Sequence, residues 1–305
     1  MQIAVLGLGK MGARIALKLS KEGHNVAVWN RSPQAVDALK SEASEIKSFD
    51  TIEDLVKNAE KPRVLWLMLP AGEATEEILL EVEKYVEEDD IVIDGGNSKF
   101  TDTQIHYERL AAKKIRFLGI GVSGGVIAVK NGYPMMAGGD KSAYEHVALL
   151  LDSLAHPHGG HEYFGLGGAG HYVKMVHNAI EYAYMQGIGE GFGVLEKAEY
   201  NLDLVKVAKL YDRGSLISGF MMQRTIEALE NDPRLESFTG VMGSASGETV
   251  WTVDEAEKKG LLIDVIKRSL MLRKESETDI SIQKSFAARM VQALRLAFGG
   301  HGEKK

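Results

Sequence analysis

The stretch "GAGHYVKMVHNAIEYAYM", residues 168–185, carries polar groups in an unusual place. Lys174, His177, Asn178 and Glu181 stand at i, i+3, i+4 and i+7. On a helix that spacing makes a single stripe on one face. The positions between them, Val173, Met175, Val176, Ala179 and Ile180 among them, are apolar. A helix apolar nearly all round is normally buried. A buried amine and a buried carboxylate are costly unless they are paired or face a polar cavity. The stripe therefore faces bulk water or lines a pocket. In a pocket, Lys174 and Glu181 would supply a proton acceptor and a proton donor two turns apart.

The elements that must position the stripe come earlier in the chain. "IAVLGLG", "NVAVW", "VLWLML", "IVIDGG" and "IRFLGIGV" are short apolar runs without alternation, the pattern of strands buried on both faces. Segments of helical period lie between them, over 13–21, 33–41, 74–86 and 103–112. "YPMMAGG" predicts one further strand and 141–155 one further helix. Such alternation predicts a Rossmann-type, doubly wound α/β domain. After the Gly- and His-rich stretch "HPHGGHEYFGLGG" the period is helical throughout: the stripe helix, then 201–212, 215–230, 253–259, 261–274 and 280–297. The last of these offers Ile280, Phe286, Met290, Leu294 and Phe298 as an apolar seam. The expected organisation is a nucleotide-binding domain over 1–165 and an all-α substrate-binding and dimerisation domain over 166–305. His156, His158 and His161 have no partnering carboxylate nearby except Glu162, so their loop reads as a connector and no metal site is expected.

"GLGKMG" sits directly after the first strand and opens a helix, the context a dinucleotide fingerprint requires. Gly7 makes the tight turn, Gly9 lets the backbone approach a pyrophosphate, and Gly12 allows close helix–strand packing. The helix N-terminus then faces the negative charge. The second strand ends in Asn30, Arg31 and Ser32, where an NAD enzyme usually carries an acid. An acid would repel a 2′-phosphate, whereas Arg31 can pair with it. NADP is therefore expected as the preferred cofactor, with NAD possible. The expected cofactor contacts are Gly7, Gly9, Lys10, Met11, Gly12, Asn30, Arg31, Ser32, Leu69, Pro70 and Asn97.

Composition narrows the class. Over 305 residues the net charge is −7, which argues against a general nucleic-acid binder. No cysteine is present, so thiol catalysis, disulfides and Cys-based metal sites are excluded. The start of the chain lacks the pattern of a signal peptide, and no apolar run is long enough to span a bilayer. A cytoplasmic protein without membrane partners is expected.

Four blocks together resemble the decarboxylating 6-phosphogluconate dehydrogenases, in their short-chain branch: "IDGGNSKFTDT", "GVSGGVIAVKNGYPMMAGG", "GAGHYVKMVHNAIEY" and "RLAFGGH". The resemblance runs essentially from end to end. It implies that Lys174 is the general base and acid, that Glu181 is the second acid, and that Asn178 belongs with them. Substrate-binding positions implied in the same way are Asn97, Ser123, Gly124, Gly125, His177, Asn178, Tyr182, Thr252 and Arg273. Arg295 and His301 match a C-terminal pair that reaches the partner's site in the family, so a homodimer with a shared tail is expected. One position departs from the family: Val250 stands where a basic residue usually precedes the Trp-Thr pair, here Trp251–Thr252. One phosphate contact is thereby lost.

The implied reaction converts 6-phosphogluconate to ribulose 5-phosphate and CO2. Oxidising its secondary alcohol requires a base within hydrogen-bond reach of the hydroxyl. A lysine serves only if its pKa falls from about 10.4 to about 7–8, which is about 4 kcal/mol of differential stabilisation. A closed, mostly apolar pocket can supply that by desolvation. An ionised Glu181 would oppose the shift, so it must be mainly protonated at the acid step. The reading next in line is a related β-hydroxyacid dehydrogenase acting on a non-phosphorylated 3-hydroxy acid. A nucleotide-sensing protein without turnover would have little use for the intact Lys174–Asn178–Glu181 stripe.

Overall fold

The structure, a computed structural model, describes residues 1–244 and 247–299. The chain divides into two compact units, Met1–Met175 and Val176–Lys305. The first holds eight strands: β1 (Gln2–Leu6), β2 (Asn25–Trp29), β3 (Lys47–Ser48), β4 (Val64–Leu67), β5 (Ile91–Asp94), β6 (Arg116–Val122), β7 (Pro134–Gly139) and β8 (Gly160–Tyr163). Between them run α1 (Lys10–Lys21), α2 (Pro33–Glu42), α3 (Ile52–Lys57), α4 (Glu73–Val82), α5 (Phe100–Ala111), a 3-10 turn at Gly125–Ile127, α6 (Ala128–Asn131) and α7 (Lys141–Ala155). The sheet order is β3-β2-β1-β4-β5-β6-β7-β8. Order reverses between β1 and β4, the crevice where open α/β sheets bind ligands at the carboxyl ends of their strands.

Two-residue alternation explains why helices cover both faces. Ile3, Val5, Val64, Trp66, Ile91 and Ile93 enter one buried cluster, together with Ile15 and Leu19 of α1 and Val147 and Leu151 of α7. Ala4, Leu6, Leu65, Leu67 and Val92 enter another with α3, α4 and α5. Each strand thus supplies a core on either side.

The expected doubly wound domain is present, with differences at its edges. All neighbouring strands are parallel except β6 and β7, which run antiparallel. The eleven residues between β6 and β7 hold only the 3-10 turn and the four-residue α6, too short a connection for a parallel crossover. The Gly- and His-rich stretch is more than a connector, because it contains β8, which pairs with β7. A four-residue "GHEY" with mixed polarity gives no apolar signal, and its partner strand supplies the order.

The longest helix, α8 (Ala169–Glu196), begins in the first unit and continues into the second. Six helices follow among the described residues: α9 (Leu204–Tyr211), α10 (Phe220–Asn231), α11 (Gly247–Lys258), α12 (Asp264–Glu275), α13 (Ile280–Gln283) and α14 (Phe286–Gly299). The expected single helix over 280–297 is two. Asp279 caps α13, and the Ser285 hydroxyl accepts from Ala288 N at 3.1 Å to start α14 afresh. Phe286, Met290 and Leu294 enter the core of this unit, whereas Ile280, on the other side of the break, is 62% exposed. No helix among the described residues is long and apolar enough to cross a membrane.

The start of α8 lies against β6 and β7 with no side chain between. A Cβ on Gly170 would come within 2.4 Å of the Gly119 and Met136 carbonyl oxygens and 2.6 Å of Gly138 N. A Cβ on Gly138 would in turn meet Gly170 N at 2.3 Å. Alanine at 170 would gain up to about 1 kcal/mol of helix propensity but overpack backbone atoms that cannot move aside, at about 1–3 kcal/mol. Later on the same helix, a Cβ on Gly187 would meet nothing within 4 Å. Gly170→Ala should therefore lower, and Gly187→Ala raise, the unfolding free energy in urea. Equal effects of the two would show that the close approach is not tight.

Candidate active site

The glycine loop between β1 and α1 is built for an anion. Gly7 has φ +97, a left-handed conformation, and a Cβ there would strike the Met68 carbonyl oxygen at 2.5 Å and Leu69 Cδ2 at 2.8 Å. A Cβ on Gly12 would lie 2.0 Å from the Gly7 carbonyl oxygen. One on Gly9, by contrast, would meet nothing within 4 Å. The backbone is thus forced to be bare at Gly7 and Gly12 by its own packing, and at Gly9 it is bare toward open space. That cradle suits a pyrophosphate at the start of α1. Met11 packs against the core, and Lys10 is exposed.

The end of β2 completes this half. Asn30 Oδ1 accepts from Leu8 N at 2.8 Å, and its Nδ2 donates to the Ser32 carbonyl at 2.9 Å. Its side chain therefore holds the loop in place. Ser32 donates to Gln34. Arg31 is 66% exposed and ion-paired with Glu77. After β4, the Pro70 carbonyl accepts from Thr75 Oγ1 at 2.8 Å.

Asn97, Ser123 and Lys174 gather on the far half of the same unit. Asn97 has φ +53, which Asn tolerates better than most residues. Its Oδ1 accepts from Val122 N at 3.0 Å and its Nδ2 donates to the Val122 carbonyl at 3.3 Å. This fixes the loop after β5 to the end of β6. Ser123 N donates to the Pro134 carbonyl at 2.9 Å. Gly124 and Gly125 follow with φ +91 and +60, a sharp turn that presents backbone amides. Lys174 is 4% exposed. A Cβ on Gly121 would lie 2.3 Å from Lys174 Cβ and 2.7 Å from its Cγ, so the lysine stem lies in the space that Gly121 leaves. One turn back, His171 Nδ1 is 2.7 Å from Thr103 Oγ1, which ties α8 to α5. The solvated-face reading fails at Lys174, while the His177 side chain on the same stripe is 40% exposed.

The second unit holds the other half of the residues expected to bind substrate. His177 Nδ1 is 3.1 Å from Asn178 Oδ1 and 3.9 Å from Glu181 Oε2. Tyr182 is 6% exposed, and the Arg273 guanidinium, 2% exposed, stacks on its ring at 3.3 Å from the centroid. Burial pushes Arg273 down to about 10, opposed by Tyr182 and Glu181 and reinforced by the charge of Arg295. Burial also lowers Arg295, against the pull of Tyr182 and Glu181. Both guanidiniums remain cationic near neutral pH. A buried and a half-buried cation beside one carboxylate leave an excess of positive charge, the electrostatics of an anion site.

Other residues expected to contact substrate have partners within the second unit. Thr252 is buried on α11, and its hydroxyl donates to the Glu248 carbonyl at 2.9 Å. Val250 packs against the apolar core of this unit. Arg295 donates to the Met242 carbonyl and its charge lies near Arg273. His301 lies outside the described residues. A residue missed from the sequence is Glu248, whose Oε1 accepts from Asn178 Nδ2 at 3.0 Å. Seventy positions separate the two, and nothing in "SGETVW" signals the contact. Among the described residues no group of His, Asp and Glu could hold a metal ion.

A dinucleotide cradle on a doubly wound sheet, followed by a helix that bears a buried lysine, defines an NAD(P)-binding oxidoreductase fold. Comparison with known proteins gives the family. Residues 2–167 match the NAD binding domain of 6-phosphogluconate dehydrogenase, and residues 170–285 match the C-terminal domain of that enzyme. The chain belongs to the 6-phosphogluconate dehydrogenase family. A Haloferax volcanii relative, an NAD(+)-dependent decarboxylating 6-phosphogluconate dehydrogenase, is 36% identical over 99% of this chain and 98% of its own. A Bacillus subtilis enzyme of the same description is 35% identical over 89% of this chain but only 60% of its own length. The solved structure of Plasmodium falciparum 6-phosphogluconate dehydrogenase superposes with a TM-score of 0.83 at 30% identity, covering 90% of this chain and 62% of that one.

Gly121→Ala would displace the lysine stem while leaving the glycine loop untouched. Turnover should fall by roughly 100-fold, the usual scale for a misplacement of about 1 Å. The cofactor dissociation constant should stay within about twofold of wild type. Unchanged turnover would show that Gly121 does not position Lys174.

Proposed function

We propose that the protein oxidises and decarboxylates 6-phosphogluconate to ribulose 5-phosphate and CO2, with NADP preferred over NAD and no metal. The observation that carries this reading is Lys174, buried against Gly121, on the same face of α8 as Asn178 one turn on and Glu181 two turns on. The relatives of the same family support it. The bound nicotinamide supplies the hydride acceptor. Gly7, Gly9 and Gly12 hold the pyrophosphate, Arg31 pairs with the 2′-phosphate, and Asn97 faces both cofactor and substrate.

Lys174 takes the C3 hydroxyl proton as the alcohol is oxidised. The β-keto acid that results loses its carboxylate as CO2, because the ketone accepts the electron pair. Lys174 then returns a proton to that oxygen. Glu181 protonates C1 of the enediol while Lys174 takes back the enol hydroxyl proton, so the ketone re-forms, and a proton returned from Lys174 to Glu181 restores both groups. Ser123 and the amides of Gly124 and Gly125 bind the carboxylate end. Arg273 and Arg295 take the 6-phosphate and compensate for the missing cation at Val250. Asn178 and His177 orient the hydroxyls, and Tyr182 holds Arg273 in place. Val250 gives one reason to consider a non-phosphorylated 3-hydroxy acid instead; the paired guanidiniums favour the phosphate.

Lys174→Met should keep the fold and cofactor binding but lose roughly 10²–10⁴ in rate. Glu181→Gln should slow proton incorporation at C1 after CO2 is lost, read by deuterium uptake in product. Reduced-cofactor absorbance with 6-phosphogluconate, gluconate and 3-hydroxyisobutyrate in parallel tests the substrate. Turnover faster with gluconate than with its phosphate would overturn the assignment.

The same reading includes a cytoplasmic homodimer. Exposed apolar side chains in the second unit, Leu216, Leu262, Val265 and Val194 among them, favour association. Arg295 serves its own chain, where it lies beside Arg273, and the terminal segment with His301 reaches the partner's site. Mixing a Lys174→Met chain with a His301→Ala chain should then restore part of the activity, since one site regains both intact groups. Mixing Lys174→Met with Arg295→Ala should not. The reverse pattern would exchange the two roles.

A further inference from the structure

Arg31 does not stand alone at the end of β2. Its Nη2 donates to Glu77 Oε2 at 2.6 Å. Glu77 lies on α4, outside both the glycine loop and β2. Its neighbour Glu76 turns to a different set of partners, accepting from Arg109 Nη1 at 2.7 Å and lying 2.8 Å from His106 Nε2. The helix thus divides two adjacent carboxylates, one tied to α5 and one to the strand end where a 2′-phosphate would meet the chain. Asn30 is engaged with Leu8 N and the Ser32 carbonyl, so it offers a phosphate little. The guanidinium of Arg31 must therefore be shared.

We propose that Glu77 is a specificity-determining residue, which competes with the 2′-phosphate for Arg31 and keeps the preference for NADP over NAD small. This rests on the nicotinamide reading of the first unit. A carboxylate and a phosphate bind the same planar fork. Binding of NADP must open the Arg31–Glu77 pair and leave the carboxylate close to a phosphate of like charge. Binding of NAD leaves the pair intact. Arg31 and Glu77 are 66% and 64% exposed, so water screens the pair and it opens readily. Glu77 accordingly tunes the selectivity and does not abolish NADP binding.

The test is fluorescence titration of both cofactors in oxidised form, without substrate, on wild type, Arg31→Ala, Glu77→Gln and the double variant. Glu77→Gln should tighten NADP by roughly fivefold, near the upper end for an exposed ion pair, and leave NAD within about twofold. Arg31→Ala should weaken NADP selectively, and Glu77→Gln should give a smaller gain in that background. If Arg31→Ala weakens NADP but Glu77→Gln changes neither cofactor, or both alike, the competition is overturned while the cofactor reading stands. If wild type binds neither nucleotide, the cofactor reading itself fails.

Discussion

The contact between α8 and the β6–β7 pair is the constraint from which the site follows. Four glycines make it: Gly119 and Gly121 on β6, Gly138 on β7 and Gly170 on α8. Side chains at these points would hold the helix away from the sheet. Without them the first turn of α8 descends onto the strand backbones, and Lys174 is carried down with it. Its stem lies in the space that Gly121 leaves, and the residue is 4% exposed. The burial of this residue thus goes with close backbone packing at the start of α8. The Thr103–His171 bond and the edge-to-face contact of Phe100 with Tyr172 then fix the helix against α5.

Two asparagines do related work at the strand ends. Asn30 ties the end of β2 to the loop after β1, and Asn97 ties the loop after β5 to the end of β6. Each satisfies backbone groups that no strand partner reaches. Both positions read from the sequence as ligand contacts. The structure gives each side chain a prior task, which is to hold the backbone that a ligand would meet. A rigid loop loses less freedom on binding, so these residues contribute to recognition even where their own amides are engaged.

Much of this was legible in the sequence because its signals are local. The five apolar runs became β1, β2, β4, β5 and β6, since an apolar strand buried on both faces announces itself. "GLGKMG" is one tight turn, and its spacing already contains its geometry. The stripe from Lys174 to Glu181 is one helix face. What was hidden depends on partners distant in sequence. β3 and β8, of two and four residues, exist through their neighbours. Glu248 meets Asn178, and Glu77 meets Arg31, through folding alone. The break before α14 was visible in principle, because Ser285 is a good cap, but the apolar period continues through it and masks it.

Val250, which the sequence marked as a departure from the family, has an apolar setting. Val250 packs against an apolar cluster that includes Leu270, Met290 and Leu294. A lysine there would have to extend its stem along that cluster to keep its charge in a polar place. Arg273 is supported differently, with its flat guanidinium lying on the Tyr182 ring. That ring offers its negative face to the cation and accepts the plane of the fork, which an ammonium would use less well. Burial and the proximity of Arg295 weaken the hold of Arg273 on its proton, yet its value near 10 leaves it charged. The mutual repulsion of two guanidiniums is relieved by an anion between them. Glu181 and Tyr182 offset part of that repulsion, and the positive charge that remains gives the cluster the electrostatics of an anion site.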